Sequence, residues 1–236
     1  MVATGTLATA AVKSLKDDML GPIGAIVTEM MRIFPDGIVI TSGIYAVLTL
    51  SYPFAVLFGS MVEATILFHV IRYATSYLNM APMSGSASAY THVCRTGFTE
   101  PSTTLLSLSM FGTQRIQNPF PSSPIYMLSV ASAYLFSTLN SQSEELESLG
   151  PAYSSRYYMS MIFLLALLFV FISFRITYGC DTFGIVMLTA PIGIFIGAML
   201  VQQNLRLFGP NAINLLGIPL LQNRTASGKK IYVCPK

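Results

Sequence analysis

The sequence predicts an all-α integral membrane protein with about four transmembrane helices, a long polar loop and an extended basic C-terminal tail. Three observations carry that prediction. Only 10% of the 236 residues are charged, against about 25% in an ordinary soluble domain. The hydrophobic share is 53%, with a mean hydropathy of +0.62. The run "RYYMSMIFLLALLFVFISFR" places uninterrupted hydrocarbon between two arginines, and its length suits a bilayer crossing better than a buried core helix.

The elements follow in chain order. Residues 1–36 form a mixed N-terminal segment. Leu15, Met19, Ile23, Ile26, Met30 and Ile33 recur at helical spacing among Asp17, Asp18, Glu29 and Arg32, the pattern of an amphipathic surface helix interrupted at Gly21-Pro22. The first twenty residues lack an apolar stretch followed by a cleavage site, so the first strong span is expected to act as the insertion signal. Residues 37–78 are expected to form the first transmembrane helix, from Gly37 to about Phe58, with a helical extension kinked at Pro53. The alternative is two spans folded back near Tyr52-Pro53. It is disfavoured because the second would take Glu63, His69 and Arg72 into lipid, at ~2.5–3.5 kcal/mol per charge at the bilayer centre.

Residues 79–123 read as an extramembrane loop, rich in Ser, Thr, Gly and Pro. It is long for a connector and carries Phe98, Leu105, Leu106, Leu108, Met110 and Phe111, so it is expected to pack on its own helices or on a partner. Residues 124–203 form a three-helix transmembrane region: Pro124 to Asn140, Tyr157 to Phe174, and Thr182 to about Gln203. In the first, Ser129, Ala133 and Ser137 make a small-residue stripe. In the third, Thr189, Gly193 and Gly197 make another. Both are expected to be helix-packing faces, the second set against the 124–140 or the 157–174 helix. Arg156 and Arg175 flank the middle span and are expected to snorkel outward. The link "RITYGCD" is a tight hairpin, and Pro191 is expected to kink the last helix.

The tail, residues 204–236, holds Arg206, Arg224, Lys229, Lys230 and Lys236 with no acid. With four spans, counting Lys and Arg puts both termini on the cytosolic side. With five spans the split is nearly even and decides nothing. A cytosolic tail makes the sequon Asn223-Arg224-Thr225 a chance occurrence.

Little chemistry is legible. No P-loop, HExxH, GxSxG or GxGxxG is present, so neither an enzyme nor a cofactor or metal site is expected. A net charge of +3 is too small to indicate nucleic acid. Glu63, His69 and Arg72 are the one ionisable cluster near a span, read as the polar end of a helix leaving the bilayer rather than a proton relay. Cys94, Cys180 and Cys234 are odd in number and scattered, which does not make a disulfide framework and leaves their redox state open.

The stretches "SEELESLGPAYSSRYYMS", "RITYGCD" and "NLLGIPLLQNRTASGKKIYVCPK" resemble a membrane protein family of the nucleocytoplasmic large double-stranded DNA viruses, the group that includes algal viruses. The resemblance covers residues 90–236 and is one of overall wording rather than of a catalytic signature. It implies a membrane-spanning minor capsid protein of the viral internal membrane, found in host intracellular membranes during assembly. Its partners would be the lipid bilayer, capsid or other minor capsid proteins, and further copies of itself. The residues expected to meet partners are Phe98, Phe111 and Arg115 in the loop, and Arg224, Lys229, Lys230 and Tyr232 in the tail. Two other classes fit the same composition. An accessory subunit of an organellar membrane complex would be found in uninfected cells. A small transporter or channel would need a polar lumen.

Overall fold

The computed structural model describes residue 30 and residues 33–77, 120–143, 146, 151–177 and 180–216. Among them the structure is all-helical, with five α-helices and one short 3-10 turn: α1 (Ile33–Thr49), α2 (Tyr52–Tyr77), α3 (Ser123–Ser141), α4 (Pro151–Thr177), α5 (Phe183–Phe208) and the 3-10 turn Pro210–Ile213. Three stretches are long and apolar enough to cross a membrane: α2, residues Ser155–Thr177 of α4, and α5.

The expected continuous span from Gly37 to about Phe58 is two helices instead. The chain breaks at Leu50 and Ser51, with Leu50 at φ 48°. Pro53 supplies the reason. Inside one helix its ring would collide with the carbonyl of Thr49, four residues back, and leave that carbonyl without its N–H partner. In the first turn of a new helix the missing N–H costs nothing, and α2 starts there, with the Ala55 N–H donating to the Ser51 carbonyl at 3.1 Å. The two helices fold back on each other. Tyr45 stacks on Phe54 with ring centroids 5.6 Å apart, and Gly43 faces the ring of Phe58.

The other helices start and stop where their sequence dictates. Pro151 is the first residue of α4, six residues before the expected start at Tyr157. Thr182 caps α5 by accepting from the Ile185 N–H at 3.4 Å. Gly209 ends α5 at φ 78°, and its N–H closes on the Leu205 carbonyl at 3.1 Å. Glycine takes that left-handed position without a Cβ penalty. The helix runs unbroken through Pro191.

Helix α3 is the centre of the bundle. Every residue from 121 to 134 is buried. Its Tyr126, Met127, Val130 and Tyr134 join Val39 of α1, Met61, Ala64 and Phe68 of α2, Leu200 and Val201 of α5 and Ile213 in one apolar core. Helix α4 is peripheral: Met159, Ile162, Phe163, Leu165, Phe169 and Val170 are all exposed, as suits side chains facing hydrocarbon. α4 touches α1 through Phe34 and Phe171, 5.7 Å apart.

Contacts fix the directions. Ser122 lies beside Thr189, Ser129 beside Gly193 and Ala133 beside Gly197, so α3 and α5 run parallel. Ser60 meets Asn204, and Ala64 meets Tyr126, so α2 runs against both. Tyr157 at the start of α4 reaches Asn140 near the end of α3, so α4 is antiparallel to α3. The α4–α5 turn, the start of α3 and the end of α2 thus share one end of the bundle, the hairpin end. The α1–α2 turn, the start of α4 and the end of α5 share the other, the tail end. The described chain enters at the hairpin end and leaves at the tail end. The expectation that both termini lie on one side rested on four passes, and the terminal residues lie outside the described ones.

Candidate functional site

Two groups of polar side chains are built into the apolar bundle, and a tight seam of small residues runs between them. The seam is the α3–α5 interface. A Cβ placed on Gly193 would lie 2.7 Å from the Ser129 Cβ and 2.8 Å from the Tyr126 carbonyl oxygen. One placed on Gly197 would strike the Val130 carbonyl oxygen and lie 2.9 Å from the Ala133 Cβ. The helices approach until backbone meets backbone, which small residues permit. Thr189 is fully buried on the same line, whereas Ser137, one turn beyond Ala133, is half-buried. Of the two expected neighbours for the glycine stripe, the structure gives α3 and not α4.

The first polar group closes the hairpin end. Arg175 and Asp181 form an ion pair through Nε and Oδ2, and both are nearly buried. The Ser122 hydroxyl donates to the same carboxylate oxygen at 2.9 Å, and the Ser122 N–H donates to Thr189 Oγ1 at 3.4 Å. Ser122 stands at the N-cap of α3 but does not cap it with its side chain, because the hydroxyl is spent on Asp181. Arg175 was expected to snorkel outward. It turns inward because Asp181, six residues on, offers an opposite charge across the turn. Inside that turn Cys180 donates its N–H to the Arg175 carbonyl at 2.9 Å. Cys180 is disulfide-bonded, a state that the scattered spacing of the cysteines left open.

The second group ties α2 to α3 and α5. The Asn204 amide donates to Ser60 Oγ at 2.7 Å and to the Tyr134 hydroxyl at 3.0 Å. The Tyr126 hydroxyl donates to the Ala64 carbonyl at 3.0 Å. The Gln203 amide donates to both Glu63 carboxylate oxygens, at 3.1 and 3.0 Å. Sequence reasoning noticed Glu63 but missed Gln203 and Asn204, which are uncharged and sit where the last span was expected to end. His69 and Arg72 lie further along α2, towards the hairpin end, and His69 packs edge-on against Phe68. Nearer the tail end, Gln142 donates to the Ile213 carbonyl at 3.0 Å and pins the 3-10 turn beneath α3.

Chemically these groups are ties. Hydrogen bonds between helices satisfy polar atoms where lipid offers no partner. Among the described residues there is no group of three or more His, Cys, Asp or Glu that could hold a metal ion. The residues expected to meet partners, Phe98, Phe111, Arg115, Arg224, Lys229, Lys230 and Tyr232, lie outside the described residues, as do Cys94, Cys234 and most of the 1–36 segment. No protein family model, curated protein or solved structure matches the chain.

Proposed function

We propose that the chain is a structural membrane protein of a large DNA virus particle, mooring the capsid shell to the lipid membrane beneath it. In this reading all five helices cross the bilayer, α1 as the shortest and α3 shielded from lipid by its neighbours. The 79–123 loop and the tail then emerge on opposite faces of the membrane, and the tail is the arm that meets the shell.

One observation carries the choice of an anchor over a conduit: the buried α3 occupies the place where a lumen would run, with Tyr126, Met127, Val130 and Tyr134 packed against α2 and α5. Interhelical ties and a backbone-close seam favour a rigid post. The viral setting rests on the resemblance carried by residues 90–236, and the basic tail suits anionic lipid or an acidic protein surface at ~1 kcal/mol per Lys or Arg near the membrane.

The test is deletion of residues 223–236 in the infected-cell setting. The truncated protein should stay in the membrane fraction and lose its association with shell components. Full copurification of the truncated protein with the shell would refute the role given to the tail.

A further inference from the structure

The fold treats the two arginines of the hairpin end differently. Arg175 turns inward to Asp181. Arg72 is half-buried on α2, and among the described residues no carboxylate or other acceptor meets its guanidinium. A guanidinium carries several N–H donors and keeps its charge, so one drawn half out of water calls for an anion. We propose that Arg72 and the Tyr73–Tyr77 pair bind the phosphate of an anionic glycerophospholipid, whose acyl chain lies over Val70 and Ile66. The inference rests on the membrane-spanning part of the proposed function and is independent of the viral setting.

The depth of the site follows from α3. The rings of Phe68 and Tyr126 lie 5.3 Å apart. The two helices are antiparallel, so Arg72, one turn after Phe68, stands level with Ser122, one turn before Tyr126. The Ser122 hydroxyl donates to Asp181 at 2.9 Å, so Arg72 shares the level of the polar group that closes the hairpin end. A lipid phosphate belongs at such a level, just outside the hydrocarbon, and tyrosines favour the same layer.

Spacings of three and four put Ile66, Val70, Tyr73 and Tyr77 on one flank of α2, and all four are exposed. Arg72 stands at the border between that flank and the face that buries Thr65 and Phe68. The Tyr73 and Tyr77 hydroxyls lie 2.8 Å apart. The hydrogen bond between them uses one proton, and the other is left to donate to a phosphate oxygen. The guanidinium adds a planar fork that matches two oxygens of the same phosphate. Towards the bilayer centre the flank becomes apolar at Val70 and Ile66, where hydrocarbon fits.

The acids nearby decide the kind of head. Asp36 is fully buried, and Asp181 is held by Arg175 and Ser122. Among the described residues the hairpin end thus presents no exposed carboxylate, and the ammonium of a zwitterionic head finds no counterion there. A soluble phosphate ester could use the fork but would gain nothing from Val70 and Ile66.

Full-length protein in nonionic detergent gives the test, by native mass spectrometry with phosphatidylglycerol, phosphatidylcholine of the same acyl chains, or glycerol phosphate. Phosphatidylglycerol should bind most tightly. Arg72→Gln should weaken it by about tenfold, the loss of a charge-assisted hydrogen bond or two. Arg72→Lys should weaken it less, and Arg206→Gln, exposed at the tail end, should leave it unchanged. Equal binding of phosphatidylcholine, an equal loss in Arg206→Gln, or displacement of the lipid by an equal concentration of glycerol phosphate would overturn the assignment. Should Arg72→Gln fail to fold, the wild-type chain decides: its thermal midpoint should rise more with phosphatidylglycerol than with phosphatidylcholine, and equal midpoints would overturn the site. Alkaline carbonate extraction of native membranes separates the two kinds of failure. Protein that stays in the pellet yet shows no lipid preference loses the site alone, whereas release into the supernatant would remove the spanning premise and the site with it.

Discussion

At the scale of single residues, the closest steric demand falls on two glycines. Gly197 lies so near the Val130 carbonyl and the Ala133 Cβ that any side chain must push α3 and α5 apart. Overpacking a tight interface costs ~1–3 kcal/mol. Gly197→Leu should lower the thermal midpoint in detergent accordingly, whereas Gly59→Ala, where nothing lies within 4 Å of the added Cβ, should hold or raise it. Equal losses in the two variants would show that helix propensity, not the seam, sets the effect. The stripes themselves were legible, because small residues four apart mark a face on any helix. Which helix each face meets was not, because two candidates had similar composition and only the parallel course of α3 and α5 separates them. Asn204 and Gln203 escaped notice for a related reason. An amide carries no charge to flag it, and its partners Ser60 and Glu63 lie more than a hundred residues away in the chain.

The elements show where a local signal outweighs an energetic argument. Pro53 was recognised as a break, but the cost of burying Glu63, His69 and Arg72 argued for a single span. The structure lowers that cost by giving Glu63 the Gln203 amide and by setting His69 and Arg72 further towards the hairpin end. At the α4–α5 turn, the Arg175–Asp181 pair is buried enough that removing one partner strands a charge, which costs ~3–5 kcal/mol. Asp181→Asn and Arg175→Met should each destabilise strongly. The double variant should recover most of the loss, because a buried pair contributes little over an apolar substitute. A double variant as unstable as the sum of the singles, in detergent melts of all four proteins, would mean that the two side chains act separately.

For the whole molecule, the all-helical class and three helices long and apolar enough to cross a membrane followed from hydropathy and length, while the number of passes and the path of the chain did not. The tail end and the hairpin end are separated by an odd number of helices because of one turn at Leu50-Ser51, and no charge count could have fixed that. The ties around Asn204 and Gln203 join α2 to α3 and α5 beside the apolar core that they share with α1. A hydrogen bond between membrane helices is worth ~0.6 kcal/mol on average and ~1.7 at most. Replacing Gln203 and Asn204 together by Leu should therefore loosen α2 from α3 and α5 without melting the bundle. Hydrogen exchange should quicken in α2 while the α3 and α5 amides keep their protection. Uniform acceleration across all helices would show a single cooperative block.

The parallel course of α3 and α5 has a mechanical side. A pull applied through the chain entering at Ser122 and resisted by the chain leaving at Gly209 draws α3 one way and α5 the other along their common axis. The load then falls on the Gly193–Gly197 seam in shear, with Ser129 and Ala133 meshed against it, so many contacts must slip together. An antiparallel pair loaded at the same two points would peel open one turn at a time. In the proposed anchoring role, this arrangement would bear tension between the two faces of a sheet of lipid.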